Sequence, residues 1–130
     1  MARGIILNIN AEIDKPLFQQ IKEGIEDAIL SGAFPEESQI PSITEISVNY
    51  KINPATALKG INLLVENNIV YKKRGLGMFV CKGAVNRLME NRRNEFYNKF
   101  VLSLVLEAKR LKLCEKDIKN MIERGFKNEH

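Results

Sequence analysis

Residues 40–80 read IPSITEISVNYKINPATALKGINLLVENNIVYKKRGLGMFV. Ser42 and Glu45 have capping-box spacing, in which each side chain satisfies the other's free backbone N–H, so a short helix opens at this point. Ile43, Ile46 and Tyr50 give it an apolar side, and it ends near Tyr50. Lys51-Ile52 makes a tight turn. Asn53-Pro54 starts the next helix, with Asn53 as N-cap and Pro54 at the first helical position, where its missing N–H costs nothing. Ala57, Leu58, Ile61, Leu64 and Val65 supply that helix's core face, and Asn67-Asn68 ends it. Ile69–Lys72 and Met78–Cys81 read as strands on either side of Lys73-Arg74-Gly75-Leu76-Gly77, a turn with two glycines.

Working outward, Leu17, Phe18, Ile21, Ile25, Ala28 and Ile29 recur at helical spacing. Asp14-Lys15-Pro16 starts that helix, with Asp14 or Lys15 near the cap and Pro16 in the first turn, and Ser31-Gly32 stops it. Ile5–Ile9 reads as an extended strand or arm, and Ala33–Gln39 as a loop. On the other side, Lys82-Gly83 is read as a hinge. The spacing then predicts a helix from Ala84 to Leu111, about 28 residues and about 42 Å long. Its stripe is Val85, Leu88, Met89, Phe96, Phe100, Val101, Leu104, Val105, Ala108 and Leu111. A last helix spans Glu115–Arg124, with Gly125 as its C-cap. The fold class is mainly α with a small β-hairpin. Residues 1–83 form a winged helix-turn-helix, and residues 84–130 a two-helix arm.

The chain has 130 residues and a formal charge of +4. That charge is unevenly spread. Residues 1–83 carry nine Lys/Arg and nine Asp/Glu, whereas residues 84–130 carry eleven and seven. Contacts to a polyanion therefore fall to local clusters, of which Lys72-Lys73-Arg74 is the obvious one. Cys81 and Cys114 lie far apart with no histidine near them, which excludes a structural zinc site and suggests two buried or half-buried thiols. No signal peptide and no apolar run of about 18 residues occurs, so a cytoplasmic setting without membrane insertion is expected. His130 is the last residue, expected in a disordered tail. No catalytic constellation is present, so no enzyme activity, metal or cofactor is expected.

Helix, short helix, tight turn, helix and hairpin is the order of a winged helix-turn-helix. The major groove of double-stranded DNA, about 12 Å wide, admits one α-helix. The helix from Pro54 is the candidate, presenting Asn53, Ala55, Thr56 and Lys59 to base edges. Ser42, Thr44 and Thr56 bring hydroxyls to helix N-termini, which favour phosphate oxygens. Lys72, Lys73 and Arg74 beside Gly75 and Gly77 make a wing tip that can approach a phosphate closely. Phe96, Phe100, Val101, Leu104 and Val105, with Ile118, Met121 and Ile122 on the last helix, would lie open to water in a monomer. They are the candidate homodimer interface. The 47 residues from Ala84 to His130, in two helices, cannot enclose the usual pocket of roughly 300 Å³ or more within one subunit, so a small-molecule effector site is left open at the dimer interface. The balanced charge of residues 1–83 also fits an alternative, a winged-helix protein-interaction module with little DNA affinity.

Three stretches together resemble the DNA-binding domain of the GntR family: KPLFQQIKEGIEDAILSGAF from Lys15, IPSITEISVNYKINPATALKGINLLVENNIV from Ile40, and YKKRGLGMFV from Tyr71. The INPATA segment and the short C-terminal region look like its YtrA subgroup. The resemblance implies a transcription regulator that represses nearby genes, for this subgroup often genes of membrane transporters. The family usually has a DNA-contacting arginine at the position of Thr44, and often one at that of Pro54; this chain departs from the pattern at both. An unreplaced guanine-reading arginine would cost about 1–3 kcal/mol of base discrimination.

Overall fold

The computed structural model describes residues 7–128; Ile5, Ile6 and His130 lie outside them. The elements in chain order are α1 (Leu17–Leu30), α2 (Ile43–Tyr50), α3 (Pro54–Glu66), β1 (Val70–Lys73), β2 (Gly77–Val80), α4 (Ala84–Phe96), a π-helical turn (Tyr97–Val101), α5 (Leu102–Arg110) and α6 (Glu115–Lys127). Mainly helical with one antiparallel hairpin, this is the expected fold class. The chain divides into two compact units, residues 1–90 and 91–130. The first two turns of α4 belong to the first unit, because Ala84 and Leu88 are buried in its core.

In that first unit, Ile21, Ile25 and Ile29 from α1, Ile46 from α2 and Ile61 and Leu64 from α3 form the core, closed by Phe34, Ile40, Ile69 and Val80. α1 and α3 pack closely at Gly60. A Cβ there would stand 2.7 Å from the Phe18 carbonyl oxygen, so only glycine allows this contact. α3 therefore buries Ala57, Gly60, Ile61 and Leu64. Leu58 and Val65, expected in the core, are exposed instead. Both lie on the flank of α3, about 90–110° around the helix from the centre of its buried face, which hydrophobicity alone could not distinguish.

Several local expectations change. Residues 7–10 form no strand. Leu7 is instead buried in the core, and its N–H donates to the Tyr50 hydroxyl at 2.6 Å. Buried Gln20 ties down the same segment, accepting from the Asn10 N–H (2.7 Å) and donating to the Asn10 and Lys15 carbonyls (2.9 and 2.8 Å). Pro16 is the N-cap of α1 rather than part of its first turn. Both strands are shifted by one residue, with register Val70↔Val80 and Lys73↔Gly77. The loop before α2 is also ordered by the hairpin. The Glu37 N–H donates to the Val80 carbonyl (2.7 Å), Val80 to Ser38 (2.9 Å) and Ile40 to Met78 (2.9 Å). The hairpin thus gains a third extended segment.

Lys82-Gly83 is a fixed turn, not a hinge. Gly83 has φ +85° and donates its N–H to Glu36 Oε1 at 2.8 Å, while Val85 donates to Glu36 Oε2 at 3.1 Å. Arg87 Nη1 reaches the carbonyls of Asn68 (2.9 Å) and Lys82 (3.1 Å). Glu36 therefore occupies the positive N-terminal end of α4 and satisfies donors that have no partner within the helix.

The long C-terminal helix is interrupted by the π turn, where the Leu102 N–H donates to Tyr97 five residues back. Phe96, Phe100, Leu104 and Ala108 recur every four residues. Four α-helical steps rotate about 400°, so such a row drifts about 40° per repeat. A π turn takes more residues per turn and cancels part of that drift. α6 runs past Gly125 to Lys127 and is capped by Asn128. Cys81 is half-buried, but Cys114 is exposed at the N-cap of α6, with its thiol 3.2 Å from Asp117 Oδ2. Burial pushes the Cys81 thiol pKa up.

The two backbone N–H groups hold the Glu36 carboxyl below its ordinary range, with Arg87 and Lys82 adding to the effect. A carboxylate depressed in the folded state stabilises fully above its unfolded value, and that stability is lost as pH falls through the folded value. Glu36→Gln should therefore lower Tm at neutral pH, and the gap to the parent protein should close on acidification below the carboxylate range. Thermal melts of both proteins across pH 3–7 would check this; a constant gap would contradict the capping role.

Candidate nucleic-acid interface

α2 and α3 meet through a turn in which Lys51 adopts the left-handed conformation (φ +53°) and the Ile52 N–H returns to the Ser47 carbonyl at 3.0 Å. The predicted capping box at α2 is formed, with Glu45 N–H to Ser42 Oγ at 3.0 Å and Ser42 N–H to Glu45 Oε1 at 2.9 Å. Ser42 Oγ keeps its own proton for an outside acceptor. Thr44 is exposed in the first turn of α2. Asn53 Oδ1 accepts the Ala55 N–H at 2.8 Å and so caps α3. Ala55 is exposed and Thr56 half-buried. Lys59 is exposed too, but its ammonium lies 4.1 Å from the centroid of the Phe18 ring on α1. α1 thus holds this side chain by a cation–π contact.

The wing gathers the expected cations. Leu76 N–H donates to the Lys73 carbonyl at 2.9 Å and closes the turn, with Gly75 at φ +77° and Gly77 at φ +119°. Lys73 Nζ sits 4.4 Å from the Phe79 ring, and Phe79 packs beside Tyr71 with centroids 6.1 Å apart. Lys72 and Arg74 are exposed and form no ion pair or hydrogen bond among the described residues.

Two residues escaped the sequence reading. Gln39 Nε2 donates to the Leu76 carbonyl at 2.8 Å and so holds the wing tip from the segment before α2. A Cβ on Gly77 would stand 2.7 Å from that same Nε2, so Gly77 is needed for this strut as well as for its backbone angle. No sequence signal linked Gln39 to a turn 37 residues away. The other is Asn62, exposed on α3 seven residues after Ala55, a spacing that could have flagged it.

In the second unit, Phe96 and Phe100 form a tilted pair with centroids 5.3 Å apart at its start. Phe96, Phe100, Leu104, Val105, Met121 and Ile122 are exposed, and Val101 and Ile118 half-buried. Ala108 is the one buried apolar side chain among the described residues from 91 onward. An open cleft runs along α6 between Leu113, Asp117, Met121, Arg124 and Lys127. No cluster of three or more metal-ligating side chains, and no helix long and apolar enough to cross a membrane, occurs among the described residues.

A two-helix turn with a basic, glycine-tipped hairpin defines a winged helix-turn-helix protein. The family model for bacterial regulatory proteins of the gntR family matches residues 17–80. A crystal structure of a GntR-family protein from Bacteroides thetaiotaomicron shares 30% identity at a TM-score of 0.71, over 87% of this chain and 98% of the other. The chain belongs to the GntR family, whose members are transcription regulators rather than enzymes. It is 24% identical over 87 residues to the HTH-type transcriptional repressor YtrA of Bacillus subtilis, covering 67% of each chain. It is 26% identical over 84 residues to the repressor NagR of the same organism, covering 65% of this chain but only 35% of that protein.

Removing the strut should loosen the wing without unfolding the domain. In Gln39→Ala the Leu76 amide should exchange faster with solvent, while core amides such as Ile61 and Leu64 stay protected. Hydrogen exchange read residue by residue would show this; equal protection of Leu76 in both proteins would rule out the strut.

Proposed function

We propose that the chain is a sequence-specific DNA-binding transcription regulator, acting as a repressor in the cytoplasm and as a homodimer on a palindromic operator. Residues 1–83 supply the DNA-binding domain and residues 84–130 the dimerisation arm, although α4 begins in the core of the first unit. Ser42, Thr44, Thr56 and the α3 N-terminus hold phosphates and base edges. Lys72, Lys73 and Arg74 with Gly75 and Gly77 grip the backbone beside them.

The observation that carries the dimer is the second unit's lack of a core of its own. Among its described residues Ala108 alone is buried, while Phe96, Phe100, Leu104, Val105, Met121 and Ile122 lie open. An apolar surface of this kind is stable when a second copy covers it, and two copies related by a twofold axis expose the same stripe to each other. Paired winged domains then fit half-sites one helical turn apart, about 34 Å, or a multiple of it. YtrA and NagR are named repressors, which supports the same role here.

Two measurements test this reading. Replacing Phe100 and Leu104 by glutamate should give monomers by light scattering and weaken operator binding by about 10²-fold or more, because each domain must then bind alone. A monomeric parent protein at micromolar concentration would refute the dimer. Replacing Lys73 and Arg74 by alanine should weaken binding to every DNA sequence alike, with a shallower salt dependence, since fewer counterions are released. Salt-independent, DNA-indifferent behaviour of the parent protein would favour the protein-interaction module that the balanced charge of residues 1–83 also fits.

A further inference from the structure

The exposed face of α3 carries a particular chemistry. With Ala57, Gly60, Ile61 and Leu64 buried, the helical rotation of about 100° per residue places Ala55, Leu58 and Asn62 within about 60° of one another on the opposite side. Leu58 is 43% exposed. Asn62 is exposed and makes no hydrogen bond among the described residues, so its amide donor and acceptor are both available. Lys59 is the only Lys or Arg in α3, and its ammonium is held over the Phe18 ring.

In the major groove, guanine is read by arginine or lysine at O6 and N7, adenine by asparagine or glutamine at N6 and N7, and thymine by apolar contact with its methyl group. The outward line of α3 holds the second and third kinds of reader. A single exposed leucine is ordinary on a protein surface. Here it shares one line with a small apolar residue and an uncommitted amide, on the helix that would enter the groove.

We propose that α3 reads A·T pairs, with Ala55 and Leu58 against thymine methyls and Asn62 against an adjacent adenine, so that the centre of each half-site is A·T-rich. This rests on the reading that α3 occupies the major groove. It also accounts for base recognition without arginine at Thr44 or Pro54.

The test uses the full chain and a pool of duplexes with randomised sequence, selected at low salt. The expected half-site has A·T pairs beneath α3. Uracil in place of each contacted thymine should then weaken the parent protein by about fourfold per methyl lost, and at the thymine facing Leu58 the same replacement should leave Leu58→Ala unaffected. Asn62→Ala should bind about tenfold more weakly and accept any base at its position. A G·C-rich selected core, or equal affinity for uracil and thymine duplexes, overturns the assignment while leaving DNA binding intact. A parent chain that retains no duplex at all overturns the DNA-binding reading, and the A·T assignment with it.

Discussion

The close approach of α3 to α1 at Gly60 governs the DNA-facing unit. With no Cβ at that position, the backbone of α3 settles against the carbonyl of Phe18. Once that contact is made, the roll of α3 is fixed, because Ala57, Ile61 and Leu64 must follow Gly60 into the core. The outward face is whatever remains. Ala55, Leu58, Lys59 and Asn62 are presented by exclusion, and Phe18 then draws the Lys59 ammonium toward α1. One missing methyl group thus decides which side chains α3 turns outward.

A second organising element is the seven-residue segment from Glu36 to Ser42. Glu36 caps the start of α4, Glu37, Ser38 and Ile40 exchange backbone hydrogen bonds with β2, Gln39 holds the wing turn, and Ser42 caps α2. Each contact satisfies a polar group that would otherwise be orphaned, which makes a loop of this kind as specific as a strand. The wing, the helix-turn-helix and the first turns of α4 are therefore held by one stretch of backbone.

The second unit follows a different logic. Its helices are strongly patterned, but the pattern is not consumed within the chain: the apolar row from Phe96 to Val105 stays exposed, and the π turn keeps residues spaced by four closer to one line. A patterned row left exposed in this way is the surface that the proposed dimer would cover.

Much of this was written in the sequence, wherever the controlling interaction is local. Ser42 with Glu45 and Asn53 with Pro54 announce two helix starts, since the groups they satisfy lie within three residues. The glycines of the wing mark a turn because their backbone angles demand them. What the sequence left undecided are the contacts between residues far apart in the chain. Leu58 and Val65 have the hydrophobicity of core residues, and only the packing at Gly60 turns them outward. Gln39 becomes a strut, Glu36 a helix cap and Leu7 a core residue only once the fold brings their partners to them. Local hydrogen-bond chemistry determines where helices and turns begin; which face of each helix meets the core is decided by close packing, and that exists only in three dimensions.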